Sequence, residues 1–181
     1  MAVKKKEEKS KKGEAVVAKE APSKNSAAPA SRAGVEKELK KGAQASIIHL
    51  VDAIVEDAFW SRASDIHLDP YEDKLVIRYR IDGVLHLIFT ILKDIQPEVI
   101  SRIKVLSGLR TDEHQAAQDG RFRITTSDGK LVDVRVSIAP TYYGENGVLR
   151  LLAEQAEAFT LENLGFAPQD LDKVKRAIRK P

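Results

Sequence analysis

The sequence predicts an α+β fold in which helices cover an antiparallel sheet, preceded by a disordered tail. Three observations predict it. Composition breaks after Gln44: residues 1–44 are rich in Lys, Glu, Ala, Ser and Pro, whereas the rest carries large apolar groups at regular spacing. Past that break, apolar residues recur at helical period in some segments and at strand period in others. Two turn signals, Asp82-Gly83 and Ser127-Asp128-Gly129, join neighbouring strand-like runs as hairpins.

The tail comes first. Stretches such as KKKEEKSKKGE and APSKNSAAPASRAG contain no aromatic residue and few large apolar ones. Such a segment cannot offset its own ordering entropy, so residues 1–44 are read as a disordered, basic, low-complexity linker, with a nascent helical turn at VEKELKK. It holds 12 Lys/Arg against 6 Glu, while the remaining chain has 18 basic and 21 acidic residues. The basic character thus belongs to the tail. Its lysines are mixed with glutamates and lack interleaved aromatics, which fits a solvated spacer, and no nucleic-acid partner is expected.

From Ala45 the pattern changes. Ile47, Val51, Ile54, Val55, Ala58 and Phe59 recur at helical spacing, predicting an amphipathic helix over about 45–63. In SDIHLDPYEDKLVIRYRIDGVLHLIF, alternation sets Leu75, Ile77, Tyr79 and Ile81 on one strand face and Val76, Arg78 and Arg80 on the other. The chain returns through Val84–Phe89. Pro97 suits the first turn of a second helix over about 97–107, which Gly108 can end. The polar connector RTDEHQAA leads to a second hairpin, Asn146–Glu154 supplies a further strand, and residues 168–180 form a last helix behind Pro168.

The second hairpin, QDGRFRITTSDGKLVDVRVS, fixes its own register. With a three-residue loop and Gly129 in the left-handed position, Thr126 pairs with Lys130, Phe122 with Val134 and Ile124 with Val132, giving one apolar face. On the other face Arg123 meets Asp133 and Arg121 lies directly opposite Arg135. Like charges in that position cost about 0.2–1 kcal/mol. Either the two arginines diverge into solvent or an anion sits between them.

Several chemistries are excluded. The chain has no cysteine, so it offers no disulfide, thiol nucleophile or thiolate-bound zinc. His49, His67, His86 and His114 show no metal-ligand spacing, and no metal site is expected. Asp65 and His67 share a strand face but lack a third ligand or nucleophile, which fits strand-start hydrogen bonding. No apolar run approaches the roughly 20 residues of a membrane span, and the N-terminal residues lack the apolar segment of a signal peptide, so a cytoplasmic location is expected.

Five phrases stand in order at familiar spacing: ASDIHLDPYEDKLVIRYRIDGVL, SRIKVLSGL, QDGRFRI, VDVRVSIAPT and YGENGVLRLL. Together they resemble the N-terminal half of the type II secretion and type IV pilus assembly ATPases, over roughly residues 45–181. The resemblance implies a PAS-like domain over 45–160 and, over 161–181, a linker helix towards a RecA-like ATPase core. It implies ATP and Mg as cofactors bound mainly by that core, and a homo-hexamer of the complete protein. It also implies an inner-membrane platform protein as partner, with peripheral placement at that membrane. Arg121 and Arg135 match the family arginines that face nucleotide phosphates, whereas Arg78, Arg80 and Arg150 are candidates for secondary or interface roles.

The chain departs from the family pattern at three places. Glu113-His114-Gln115-Ala116-Ala117 stands where members commonly read ERRLP, and Gly144-Glu145-Asn146 where they read GER. No G-x-x-x-x-G-K-[ST] phosphate loop occurs, so this chain alone carries no expected catalytic residue and is not expected to hydrolyse ATP. A truncated piece of a longer protein accounts for this most simply. The alternative is a stand-alone protein-binding module without nucleotide dependence.

Overall fold

The computed structural model describes residues 28–153, 161 and 165–178. One antiparallel sheet holds six strands: β1 (Asp65–Pro70), β2 (Lys74–Ile81), β3 (Val84–Leu92), β4 (Gln118–Thr125), β5 (Leu131–Thr141) and β6 (Gly144–Ala153). Their order is β3-β2-β1-β6-β5-β4. Two three-stranded meanders therefore meet at a single seam, where β1 lies beside β6. Helix α3 (Gln96–Leu106) carries the chain from the β3 edge to the β4 edge.

Helices α2 (Ile47–Trp60) and α3 cover one face of the sheet. Leu50, Val51, Ile54, Val55, Ala58 and Phe59 of α2 and Val99, Ile100 and Ile103 of α3 are buried. They share a core with Ile66 and Leu68 of β1, Leu75, Ile77 and Tyr79 of β2, and Val132, Val134, Val136 and Ile138 of β5. Tyr79 is fully buried and donates its hydroxyl to the Ile54 carbonyl oxygen at 2.9 Å, which satisfies the phenol and ties sheet to helix.

Both hairpins form as the turn chemistry requires. Asp82 and Gly83 take φ of 50° and 83°, the doubly left-handed pair of a two-residue turn whose twist matches its strands. In the second hairpin Gly129 has φ 84°, and the Thr126 amide donates to the Lys130 carbonyl oxygen at 2.8 Å. The expected register holds throughout: Phe122 faces Val134, Ile124 faces Val132, Arg123 faces Asp133 and Arg121 faces Arg135.

The linker reading of residues 28–44 needs correction. Here the chain forms α1 (Ala28–Lys40) and a short 3-10 turn, Gly42–Gln44. Val35 and Leu39, four apart and so on one helix face, are buried against the core. Ser31 and Arg32 reach Asp57 of α2, the former through a 3.2 Å hydrogen bond. Tertiary packing thus outweighs a polar composition. Residues 1–27 of the tail, Glu154 of the expected last strand, and the final residues of the expected C-terminal helix lie outside the described residues. Helix α4 (Pro168–Ile178) starts at Pro168 as expected. Asp119 and Gly120 are part of strand β4.

Candidate functional site

Alternation along the strands sets out arginines and carboxylates on the second face of the sheet. Strand pairing aligns side chains across it in transverse rows. In one row Arg80 of β2 lies opposite Asp65 of β1, Asp65 opposite Arg150 of β6, Arg150 opposite Arg135 of β5, and Arg135 opposite Arg121 of β4. Four arginines and one carboxylate thus span five strands.

The two ends of the row differ in their partners. Asp65 is shared: the Arg150 Nε donates to its Oδ1 at 2.9 Å, and the Arg80 Nε lies 3.4 Å from its Oδ2. Ser64 also donates to this carboxylate, at 2.8 Å. Burial pushes the Asp65 carboxyl up, but the hydrogen bonds from Arg150 and Ser64 and the charges of Arg150 and Arg80 outweigh it, so the group lies below its ordinary range. Arg121 and Arg135 are exposed and have no hydrogen-bonded or ion-paired carboxylate among the described residues. An open groove of about 690 Å³ runs between them, lined also by Asp119, Ser137, Val148 and Arg150.

Of the five arginines singled out in the sequence, the structure therefore gathers Arg121, Arg135 and Arg150 around one groove. Arg80 sits beyond Asp65 in the same row. Arg78 lies one row away, where its Nε donates to Asp69 at 2.7 Å, and Asn146 donates to the other oxygen of that carboxylate at 2.9 Å. His67 lies opposite Arg78, and burial lowers its pKa; Asp65 is engaged by arginines instead of forming a pair with it.

Close packing beneath β4 positions Arg121. A side chain at Gly120 would come within 2.8 Å of the Ser107 carbonyl oxygen and 2.9 Å of Leu109 Cδ2, so only glycine lets β4 lie against the end of α3. Gln118 staples the preceding connector: its Nε2 donates to the Arg110 and Glu113 carbonyl oxygens at 3.0 and 3.1 Å, and its Oε1 accepts from the Arg110 amide at 2.9 Å. The connector is tied to the sheet as well. Lys104, fully buried, donates to the Glu113 carbonyl oxygen at 2.6 Å and lies 2.5 Å from Glu145, while His114 Nδ1 lies 2.9 Å from the other Glu145 oxygen. The two short departures from the family pattern therefore meet in one place. Sequence reasoning missed Gly120's close approach and the sharing of Asp65 with Arg150, which no local pattern signals.

Residues 40–181 match the model of the family described as Type II/IV secretion system protein. The chain is 37% identical over 147 residues to the type IV pilus assembly ATPase PilB of Myxococcus xanthus, covering 81% of this chain and 26% of that protein. It is 41% identical over 137 residues to the type II secretion system protein E of Pseudomonas aeruginosa, covering 76% of this chain and 27% of that one. The chain thus spans about a quarter of the length of these relatives. A solved structure of the pilus retraction motor PilT with bound ADP overlays 67% of this chain and 34% of its own, at 18% identity and a TM-score of 0.44.

Proposed function

The chain belongs to the Type II/IV secretion system protein family, and from that premise we propose that it is the N-terminal regulatory and ring-interface domain of a hexameric motor ATPase. The motor powers type IV pilus assembly or type II protein secretion. In this reading a PAS-like domain packs beside a RecA-like core of the same or a neighbouring subunit. That core holds most of the ATP and magnesium, and the domain supplies Arg121 and Arg135 to the nucleotide's phosphates. Contacts with an inner-membrane platform protein would place the assembly at the cytoplasmic side of that membrane.

One observation carries the reading. Arg121 and Arg135 lie directly opposite each other across β4 and β5, exposed on a groove, with no paired carboxylate among the described residues. Such a juxtaposition costs stability unless an anion offsets it. Paired guanidinium groups match phosphate through several donors at once, which lysines do not do equally well. When bound, the nucleotide and its metal supply the transferable phosphoryl group; the arginines of this chain neutralise charge without covalent participation. Because they sit on a domain separate from the core, their engagement would couple nucleotide state to domain motion.

Arg121→Ala and Arg135→Ala in the full-length protein test this. ATPase turnover is expected to fall sharply while the circular dichroism spectrum stays unchanged. Near-normal turnover in both variants would overturn the assignment.

A further inference from the structure

Away from the arginine groove, and sharing no lining residue with it, a cavity of about 250 Å³ lies between α3, the connector and the β5–β6 hairpin. Its floor is buried: Gln96 is 3% exposed, Ile100 2%, and Lys104 is fully enclosed. Its rim is exposed and includes Pro97, Thr111 and Thr141. Sites for drug-sized molecules run to roughly 300–1,000 Å³, so a cavity below that range suits a single side chain.

Three polar groups of this cavity are uncommitted. Gln96 turns its Nε2 towards the Tyr143 carbonyl oxygen at 3.5 Å, and a side chain at Gly144 would strike that nitrogen, so the amide has a defined orientation. Its Oε1 is buried and accepts from no donor among the described residues. A buried acceptor left unpaired is costly. The Ser101 and Thr111 hydroxyls likewise make no hydrogen bond among the described residues. The charges, by contrast, cancel: Lys104 pairs with Glu145 at 2.5 Å, and His114 takes the other Glu145 oxygen. An ionic group entering here would find no counter-ion of its own. An uncharged carboxamide offers N–H donors to Gln96 and a carbonyl oxygen to the hydroxyls.

We infer that this cavity is a docking pocket for a glutamine or asparagine side chain of a partner polypeptide. Pro97 and Ile100 face the aliphatic stem of the inserted side chain, and the polar groups take its head. The surroundings favour a polypeptide over a free amide. Tyr142, 93% exposed, and Tyr143 stand at the hairpin tip between the lining residues Thr141 and Gly144, with their rings edge-on at 5.0 Å. Lys93 donates to the Tyr143 carbonyl oxygen and holds the tip in place. Exposed, stiff aromatic rings beside a side-chain-sized pocket match the anchors through which polypeptides bind.

The test follows the 181-residue chain by NMR as N-acetylglutamine methylamide or its asparagine counterpart is added. Saturable shifts around the cavity are expected for at least one, with a Kd of about 1–10 mM, the range open to a ligand of this size. The glutamate and aspartate forms, equal in shape but anionic, should bind about tenfold more weakly. Gln96→Met, which keeps volume but removes the acceptor, should weaken binding about tenfold. Ser101→Ala with Thr111→Val should weaken it too while leaving the buried floor intact, and covers the case in which Gln96→Met fails to fold. A pentapeptide with the amide residue flanked by alanines should bind more tightly than the blocked amino acid and lose that advantage in Tyr142→Ala.

No saturation by about ten times the expected Kd would overturn the site. Equal or tighter binding of the anionic forms, or of methylguanidine, would overturn the carboxamide class. Unchanged affinity in both Gln96→Met and the Ser101→Ala, Thr111→Val double variant would place binding elsewhere. Free glutamine or asparagine binding as tightly as the pentapeptide would overturn the polypeptide partner and leave a small-molecule pocket.

Discussion

Lys104 of α3 and Glu145 of β6 form an ion pair of 2.5 Å in which the lysine side chain is 1% exposed and the glutamate 11%. The pair joins the crossing helix to the tip of the β5–β6 hairpin, and His114 closes it from the connector. A buried charge deprived of its partner is costly, whereas replacing both partners by apolar groups is nearly neutral. Lys104→Met should therefore cost about 3–5 kcal/mol in urea unfolding. Lys104→Met with Glu145→Leu should recover most of that loss. A double variant no more stable than the single one would show that the pair supports something other than local charge balance.

Asp57 of α2 predicts a pH dependence. It is fully buried, and desolvation raises its pKa despite Arg32, Ser31 and Tyr79. The folded state thus favours the protonated carboxyl. Its stability contribution is complete below the ordinary carboxylate pKa of about 4 and is lost as pH rises through the raised folded value. The stability of the native chain relative to Asp57→Asn should therefore fall as pH rises above about 4. A difference that is flat, or that rises with pH, would contradict the burial argument.

Gly120 is expected to tolerate no side chain. Gly120→Ala would press a methyl group against the Ser107 carbonyl oxygen, 2.8 Å away. Overpacking of this kind costs about 1–3 kcal/mol and moves backbone. Because Arg121 is the next residue, ATPase turnover of the full-length protein should fall with stability. Full activity in a stable Gly120→Ala protein would show that β4 can shift without moving the site.

Arg135 should show a trade between stability and activity. It lies between Arg121 and Arg150 and opposes both directly. Arg135→Thr removes two like-charge contacts and should stabilise the isolated chain by about 0.5–1 kcal/mol at low salt, with less gain at high salt. Turnover of the full-length protein should fall in the same variant. Loss of stability in Arg135→Thr would indicate that the guanidinium already has a structural partner.

The hairpin that carries Arg121 and Arg135 was legible because its information is local. Phe122, Ile124, Val132 and Val134 fix the buried face, and Gly129 fixes the loop, so the arginine pair follows from parity alone. Helix α1 was legible only as a turn at VEKELKK, since its sequence buries little beyond Val35 and Leu39 and depends on a neighbour, α2, to make the whole helix worthwhile. The rest of the site was hidden for a related reason. Placing Arg150 and Arg80 in the same row requires the register of β1 against β6, which no turn specifies. The grouping of Lys104, His114 and Glu145 likewise brings together an interior helix residue, a connector and a hairpin tip.

The seam between the meanders also bears on how the chain reaches this state. Each meander can assemble from contacts close in sequence, whereas the Asp65–Arg150 bond joins residues 85 apart. Closing a loop of that span is entropically expensive, so seam formation is expected to be a late and slow event. The full arginine row exists only after it. An anion that recognises the completed row should accordingly leave the refolding rate unchanged and slow unfolding alone. Stopped-flow measurements with and without triphosphate would reveal this, and acceleration of refolding would place seam closure before the rate-limiting barrier. The groove would then be a kinetic clasp: once filled, it holds together two halves that the chain found last.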